Sequence, residues 1–223
     1  MSALKTALVA AAAGLTLAVM SLGSTAFAAT QVISLSGPAT GNQPQGDLPL
    51  DLGMDFTVNT PVTVFSLGAF TNGSNAIPVT LYSSGGAALA TTSISGTPVL
   101  GSNYAFSALG SPLTLAPGTY QIEATYQPGS NIDYNPFEPG GSSTVVFNNL
   151  GGSLTFLADY YNLHGTGAMA TTLDALSPNG YGAGTFLANA VPEPATWTMM
   201  LVGFFGLGAM VRSSRRKQAA ATA

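Results

Sequence analysis

Short runs of strand character, punctuated by Gly, Pro, Asn and Ser clusters, dominate residues 30–190 and leave no segment of helical period. The candidate strands are 31–36, 52–58, 62–70, 79–83, 88–95, 104–109, 119–126, 143–147 and 154–160. Alternation is strictest over 119–126, where Tyr120, Ile122, Ala124 and Tyr126 share one face and Thr119, Gln121, Glu123 and Thr125 the other. The first face is expected in the core and the second, with Glu123, in solvent. Residues 62–70 (VTVFSLGAF) are nearly continuous in apolar character, as for a strand covered on both sides, and Gly85-Gly86 marks a turn between two strands. Strands of this number and spacing predict an all-β fold, an antiparallel two-sheet β-sandwich of jelly-roll type, over residues 29–178. Residues 179–190, with Gly180, Gly182 and Gly184, read as a Gly-rich tether, the alternative being that Tyr181 and Phe186 pack back on the sandwich.

The hydrophobic pattern changes at both ends. Lys5 and the uncharged apolar run 7–20 form a segment shorter than an ordinary membrane span, and Ala26-Phe27-Ala28 supplies the small residues a signal peptidase accepts. Residues 1–28 are therefore expected to be a signal peptide, helical in its apolar part, with the mature chain beginning at Ala29. Residues 195–211 form a second uncharged stretch, about 25 Å long as a helix at 1.5 Å per residue, which is just enough to cross a bilayer. Arg212, Arg215, Arg216 and Lys217 follow at once and are expected to stay in the cytoplasm as a stop, leaving everything before Trp197 outside the inner membrane.

Immediately before that single transmembrane helix the chain reads Val191-Pro192-Glu193-Pro194-Ala195-Thr196-Trp197. In the order and spacing of motif, apolar helix and basic end, residues 191–223 resemble the PEP-CTERM sorting signal of Gram-negative bacteria. The resemblance implies that Pro192, Glu193 and Pro194 are recognised by an exosortase-like membrane processing enzyme, as substrate positions and not as catalytic ones. It also implies an exported cell-surface or extracellular-matrix protein associated with exopolysaccharide or biofilm, held in the membrane by its C-terminal helix until processed. The motif suits a peptide signal, since two prolines fix an extended backbone and present one carboxylate between them. More loosely, residues 55–126 resemble secreted bacterial β-sandwich modules, carbohydrate-binding ones among them, which implies a scaffold and not a function.

Charge sharpens this picture. Only 6% of residues are charged, and the five basic ones are Lys5, Arg212, Arg215, Arg216 and Lys217. All nine acidic residues lie from Asp47 to Glu193, so the exported part has no permanently cationic side chain. Nucleic-acid binding is excluded on that ground, because Lys and Arg supply the affinity for phosphate. Salt bridges are excluded too, and any buried carboxylate must be held by backbone N–H groups, hydroxyls or a bound cation. Cysteine is absent, so packing and backbone hydrogen bonds carry the stability.

Candidate chemistry is thin. The lone imidazole, His164, lies in a Gly-rich loop, and no serine sits in a G-x-S-x-G turn, so nucleophile–base catalysis is not expected. Glu123, Asp133, Glu138 and Asp159 are the carboxylates from which a glycosidase pair would be drawn, with solvated positions the plainer reading. No cofactor is expected, calcium being the one candidate. Asp47, Asp51 and Asp55 recur every four residues, and the 131–138 loop offers Asn131, Asp133, Asn135 and Glu138, but neither follows the EF-hand spacing. Tyr126, Tyr134, Phe137, Tyr160 and Tyr161 would serve a carbohydrate-binding or adhesive module if they lined one groove. The expected reading is a non-enzymatic envelope or extracellular protein, ahead of an adhesive or polysaccharide-binding module and, third, a glycoside hydrolase.

With no Lys or Arg from residue 6 to residue 211, trypsin is expected to cut nowhere inside the exported domain even after denaturation. A peptide map with any internal tryptic cut there would contradict the assigned sequence.

Overall fold

The computed structural model describes residues 28–36, 42–43, 49–71, 75–98, 103–127, 133–134, 144–174, 181–191, 200–208 and 212. Residues 1–27 of the stretch expected as a signal peptide, the motif Pro192-Glu193-Pro194, and Arg215, Arg216 and Lys217 lie outside the described residues, as do Asp47 and Glu138.

The described chain is mostly β and its paired strands are all antiparallel. In order the strands are β1 (Thr30–Gln31), β2 (Ile33–Ser36), β3 (Asn42–Gln43), β4 (Leu50–Val58), β5 (Val62–Phe70), β6 (Ile77–Ser83) and β7 (Ala88–Ile94). Then follow β8 (Tyr104–Leu115), β9 (Gly118–Tyr126), β10 (Asp133–Tyr134), β11 (Thr144–Phe147), β12 (Leu154–Asn162), β13 (Thr172–Leu173) and β14 (Gly184–Ala190). A four-stranded sheet has the order β1-β14-β5-β8 and a six-stranded sheet the order β13-β12-β4-β9-β6-β7, with two short ribbons, β2 with β11 and β3 with β10. The chain passes from one large sheet to the other at β4–β5, β5–β6, β7–β8 and β8–β9.

One hydrophobic core serves both large sheets. Leu52, Met54 and Phe56 of β4 and Ile122 and Ala124 of β9 meet Val64, Leu67, Phe186 and Ala188 from β5 and β14. The Phe56 ring lies 5.2 Å from that of Phe186 across the gap and 5.9 Å from Tyr120 beside it in its own sheet. Each such ring removes a large apolar area from water, the dominant favourable term in folding. Tyr126 also faces inward, and its hydroxyl donates to the Phe70 carbonyl at 3.0 Å, tying the end of β9 to the end of β5.

Residues 62–70 form β5 with the expected bounds, and Ser84–Gly86 turns β6 into β7 with Gly86 at φ +79°. Several elements differ from expectation, among them 31–36, which is split into β1 and β2, and the unexpected short strands β3, β10 and β13; two differences matter most. β8 runs on to Leu115 instead of stopping at Leu109, because a bulge opposite β5 lets it pass Gly110-Ser111-Pro112: Val64 pairs with Leu113 and Ser66 with Ala108. Pro112 has no N–H to give a ladder, and on an edge strand inside a bulge none is demanded of it.

The second difference is larger. The stretch expected as a tether, 179–190, contains β14, which lies between β1 and β5 with Phe186 fully buried. Thr185 fixes it to the start of the domain by donating its hydroxyl to the Ile33 carbonyl at 2.8 Å and accepting from the Ile33 N–H at 3.1 Å. The four-stranded sheet would be split without this strand.

Phe186→Ala is therefore expected to destabilise the domain by about 3–5 kcal/mol, the cost of truncating a buried phenylalanine, as read by denaturant unfolding. A change within about 0.5 kcal/mol, normal for an exposed position, would contradict the placement of β14.

Candidate functional site

Chemistry gathers on the outer face of the six-stranded sheet. Period-two geometry puts Asp51, Gly53 and Asp55 of β4 on the face away from the core, beside Gln121, Glu123 and Thr125 of β9 and Thr80 and Tyr82 of β6. This face is not in solvent. Residues 163–171, which join β12 to β13, cross it as an irregular strap, and Glu123 is only 1% exposed. The expectation of a solvated Glu123 is thus corrected: alternation identified its face, and the strap covers it.

The sheet holds the strap by side chains. Asp51 accepts the Thr166 N–H on Oδ2 and the Gly167 N–H on Oδ1, both at 3.0 Å, two successive amides converging on one carboxylate as in an anion nest. The Ala170 N–H is shared between Glu123 Oε2 at 2.7 Å and Gln121 Oε1 at 3.0 Å. Gln121 Nε2 donates to the Ala170 carbonyl at 3.0 Å and to Asp55 Oδ1 at 2.8 Å. The Tyr82 hydroxyl donates to the Gly167 carbonyl. At the strap's root, Asn162 accepts the Thr171 N–H at 3.2 Å and donates to the Met169 carbonyl.

Two glycines make this possible. A Cβ on Gly53 would stand 2.6 Å from Gln121 Oε1, so only glycine lets that side chain lie across β4. Gly165 has φ +52° and a Cβ there would meet the Pro49 Cβ at 2.5 Å, so the strap turns onto the sheet only with glycine at this point.

Electrostatics at the site is governed by burial. The Glu123 carboxyl is pushed up to about 8, chiefly by burial and then by the neighbouring Asp51 charge, against the opposing pull of the Ala170 N–H and the Thr125 hydroxyl. Asp55 is raised by burial, partly offset by the Gln121 amide, and Tyr82 by burial and the nearby carboxylates Glu123 and Asp51. Among the described residues Glu123 Oε1 is a buried polar atom with no hydrogen-bond partner.

A second acidic group closes the end of the fold. Asp159 Oδ1 accepts the Tyr181 N–H at 3.2 Å, and the Tyr181 hydroxyl donates to Asp174, which with burial holds the phenol well above its ordinary value.

Among the expected site residues, then, Asp51 and Asp55 share one face, but their oxygens take N–H donors of the chain. Among the described residues no three acidic or imidazole side chains converge to hold a metal ion. The strand pair β3–β10 includes Asp133. Glu123 neighbours Asp51 and lies beneath the strap, whereas Asp159, within β12, is tied to Tyr181. His164 is exposed on the strap, Tyr126 belongs to the core, and Tyr160 and Tyr161 are half-buried. Residues 200–208 are helical and exposed throughout, Arg212 is helical and exposed, and no described helix is long and apolar enough to cross a membrane. Gln121, Asn162 and Tyr82 were not singled out as site residues in the sequence; Gln121 does lie on the polar second face of 119–126, and nothing local marks the other two. Comparison with protein-family models, curated proteins and solved structures finds no match.

The sign of the pH effect follows from the raised carboxyl. Below pH about 4.5 Glu123 is protonated folded or unfolded, and between there and about 8 only the unfolded chain gives up the proton, so stability falls as pH rises; above about 8 the fall ends. The slope is about 1.4 kcal/mol per pH unit for one proton. Glu123→Gln is expected to flatten this profile in denaturant titrations at successive pH values, and a parallel profile in the variant would contradict the assignment. Gly165→Ala is expected to cost about 1–3 kcal/mol from left-handed strain plus displacement of Pro49, and an unchanged unfolding midpoint would count against the strap geometry.

Proposed function

We propose that the chain is an exported, non-enzymatic envelope or extracellular protein, sorted through Pro192, Glu193 and Pro194 by an exosortase-like membrane enzyme and associated with exopolysaccharide or biofilm matrix. Its two antiparallel sheets form a β-sandwich of jelly-roll type that stands outside the inner membrane. The C-terminal helix holds the chain in the bilayer until processing, with Arg212, Arg215, Arg216 and Lys217 on the cytoplasmic side.

The observation that carries this reading is where the folded part begins and ends relative to the two sequence signals. β1 starts at Thr30, two residues after the expected signal cleavage, and β14 ends at Ala190, two residues before Pro192. β1 and β14 are paired neighbours, Thr30 opposite Ala188, and the Val191 N–H donates to the Pro61 carbonyl at 2.9 Å. A fold complete between the two signals keeps its strands whether or not the signals are removed. The sandwich reading is supported by one core shared between sheets and by a chain that passes repeatedly from one to the other. The exposed apolar surface of Leu201, Val202, Phe204, Phe205 and Leu207 is what a helix placed in lipid would present.

Intact mass and C-terminal peptide identity of protein recovered from the host's membrane, surface and medium fractions test the proposal. Loss of everything from about residue 192 onward in the surface or medium fraction is expected. An intact Arg-rich tail confined to the inner membrane would overturn sorting by cleavage and leave a simple anchor.

A further inference from the structure

We infer that the strap over residues 163–171 is a proton-controlled latch: it lies closed on the six-stranded sheet while Glu123 carries a proton and lifts when that proton is lost to solvent.

The argument begins with donors and acceptors. The strap presents three N–H groups to the two buried carboxyls, those of Thr166, Gly167 and Ala170. Asp51 takes the first two, Glu123 shares the third with Gln121, and among the described residues Glu123 Oε1 has no hydrogen-bond partner. One ionised carboxylate is fully served by this arrangement and two are not. A second charge would be buried with an orphaned oxygen, which low polarity makes expensive.

The Thr125 hydroxyl and the Ala170 N–H offset this only in part, and no cation is at hand. Asp51 and Glu123 are diagonal neighbours, since Asp51 pairs with Thr125 and Gly53 with Glu123. The other titratable groups on this side of the sheet are Asp55 on β4, Tyr82 on β6, and Tyr160 on β12 at the register position of Gly53. The strap itself contributes only His164, which is exposed. No Lys or Arg occurs from residue 6 to residue 211, so no cationic side chain of that stretch balances a second negative charge. Two like charges in one dry site are relieved by keeping a proton or by admitting water.

The strap is also the part able to move. Its hydrogen bonds to the sheet, among the described residues, run through the side chains of Asp51, Tyr82, Gln121, Glu123 and Asn162 and of Gln127 just past β9, not through a strand ladder. Gly165 and Gly167, at φ +52° and +67°, bracket the Asp51 contact. Lifting 163–171 therefore breaks no β pairing and exposes a sheet face bearing Asp51, Asp55 and Glu123, while the core shared by the two sheets stays closed. Local openings of this type lie at the low end of a protein's range of opening free energies.

Hydrogen exchange on the full chain in detergent micelles, read by mass spectrometry and corrected for the intrinsic pH dependence, tests the latch. Between about pH 6 and about pH 9, protection of residues 163–171 is expected to fall at least about tenfold, the effect of one proton over one pH unit, and to stay below that of β5, which reports global unfolding, at every pH. Glu123→Gln is expected to hold the strap closed across that range. Strap protection that does not change with pH, strap protection equal to that of β5 at every pH, or the same loss in Glu123→Gln would each overturn the proposal. Should that variant not fold, infrared absorption of a protonated carboxyl in the unaltered protein decides. Its loss in the same pH step as strap protection supports the latch, and its loss with the strap still protected overturns it.

Discussion

The folded part of this chain has to bury carboxylates without any permanent cation to pair them, because every Lys and Arg lies at residue 5 or at 212 and beyond. In a low-polarity interior an unpaired carboxylate is among the costliest groups to bury, so the partners must come from the backbone and from amide and hydroxyl side chains. Asp51 takes two successive strap amides, Glu123 one, Asp159 the Tyr181 amide, and Asp55 the Gln121 side chain. These bonds bring irregular segments onto the sheets at fixed places. The same scarcity of donors leaves Glu123 Oε1 unserved and puts the Glu123 proton at the centre of the strap's behaviour.

A second dependence follows from the ends of the fold. β14 completes the four-stranded sheet from the C-terminal side and β1 pairs with it from the N-terminal side, so that sheet is not finished until the chain from Thr30 to Ala190 is present. Long-range pairing of this kind carries a large loop-closure cost that only the assembled core repays. Phe186, set against Phe56 across the gap between sheets, is where that repayment is concentrated. The last strand, β14, ends at Ala190, two residues before the Pro192-Glu193-Pro194 motif.

Much of the fold was legible in the sequence because its strands obey period two or run continuously apolar. Residues 62–70 gave β5 to the residue, and 119–126 gave β9 with the correct core face. β14 escaped because GTFLANA is short, small and preceded by glycines; its strand character comes from the slot between β1 and β5, which no local pattern reveals. The site was half legible. Asp51 and Asp55 do share a face, as a spacing of four on a strand requires, and the rule that buried carboxylates need backbone or hydroxyl partners holds for both acidic groups. Which polar face would be covered was not readable, since a strap of Gly, Thr and Ala looks the same in sequence whether it lies on a sheet or in water.

The central claim, that amides of the chain and not a bound cation hold the buried acids, is tested most directly by thermal unfolding of the full chain in detergent at one pH with chelator, with calcium and with neither. With both Asp51 oxygens already taken by strap amides, the unfolding midpoint is predicted to be the same in all three. A midpoint that falls with chelator and recovers with calcium would contradict the account and show that a divalent ion holds the acids.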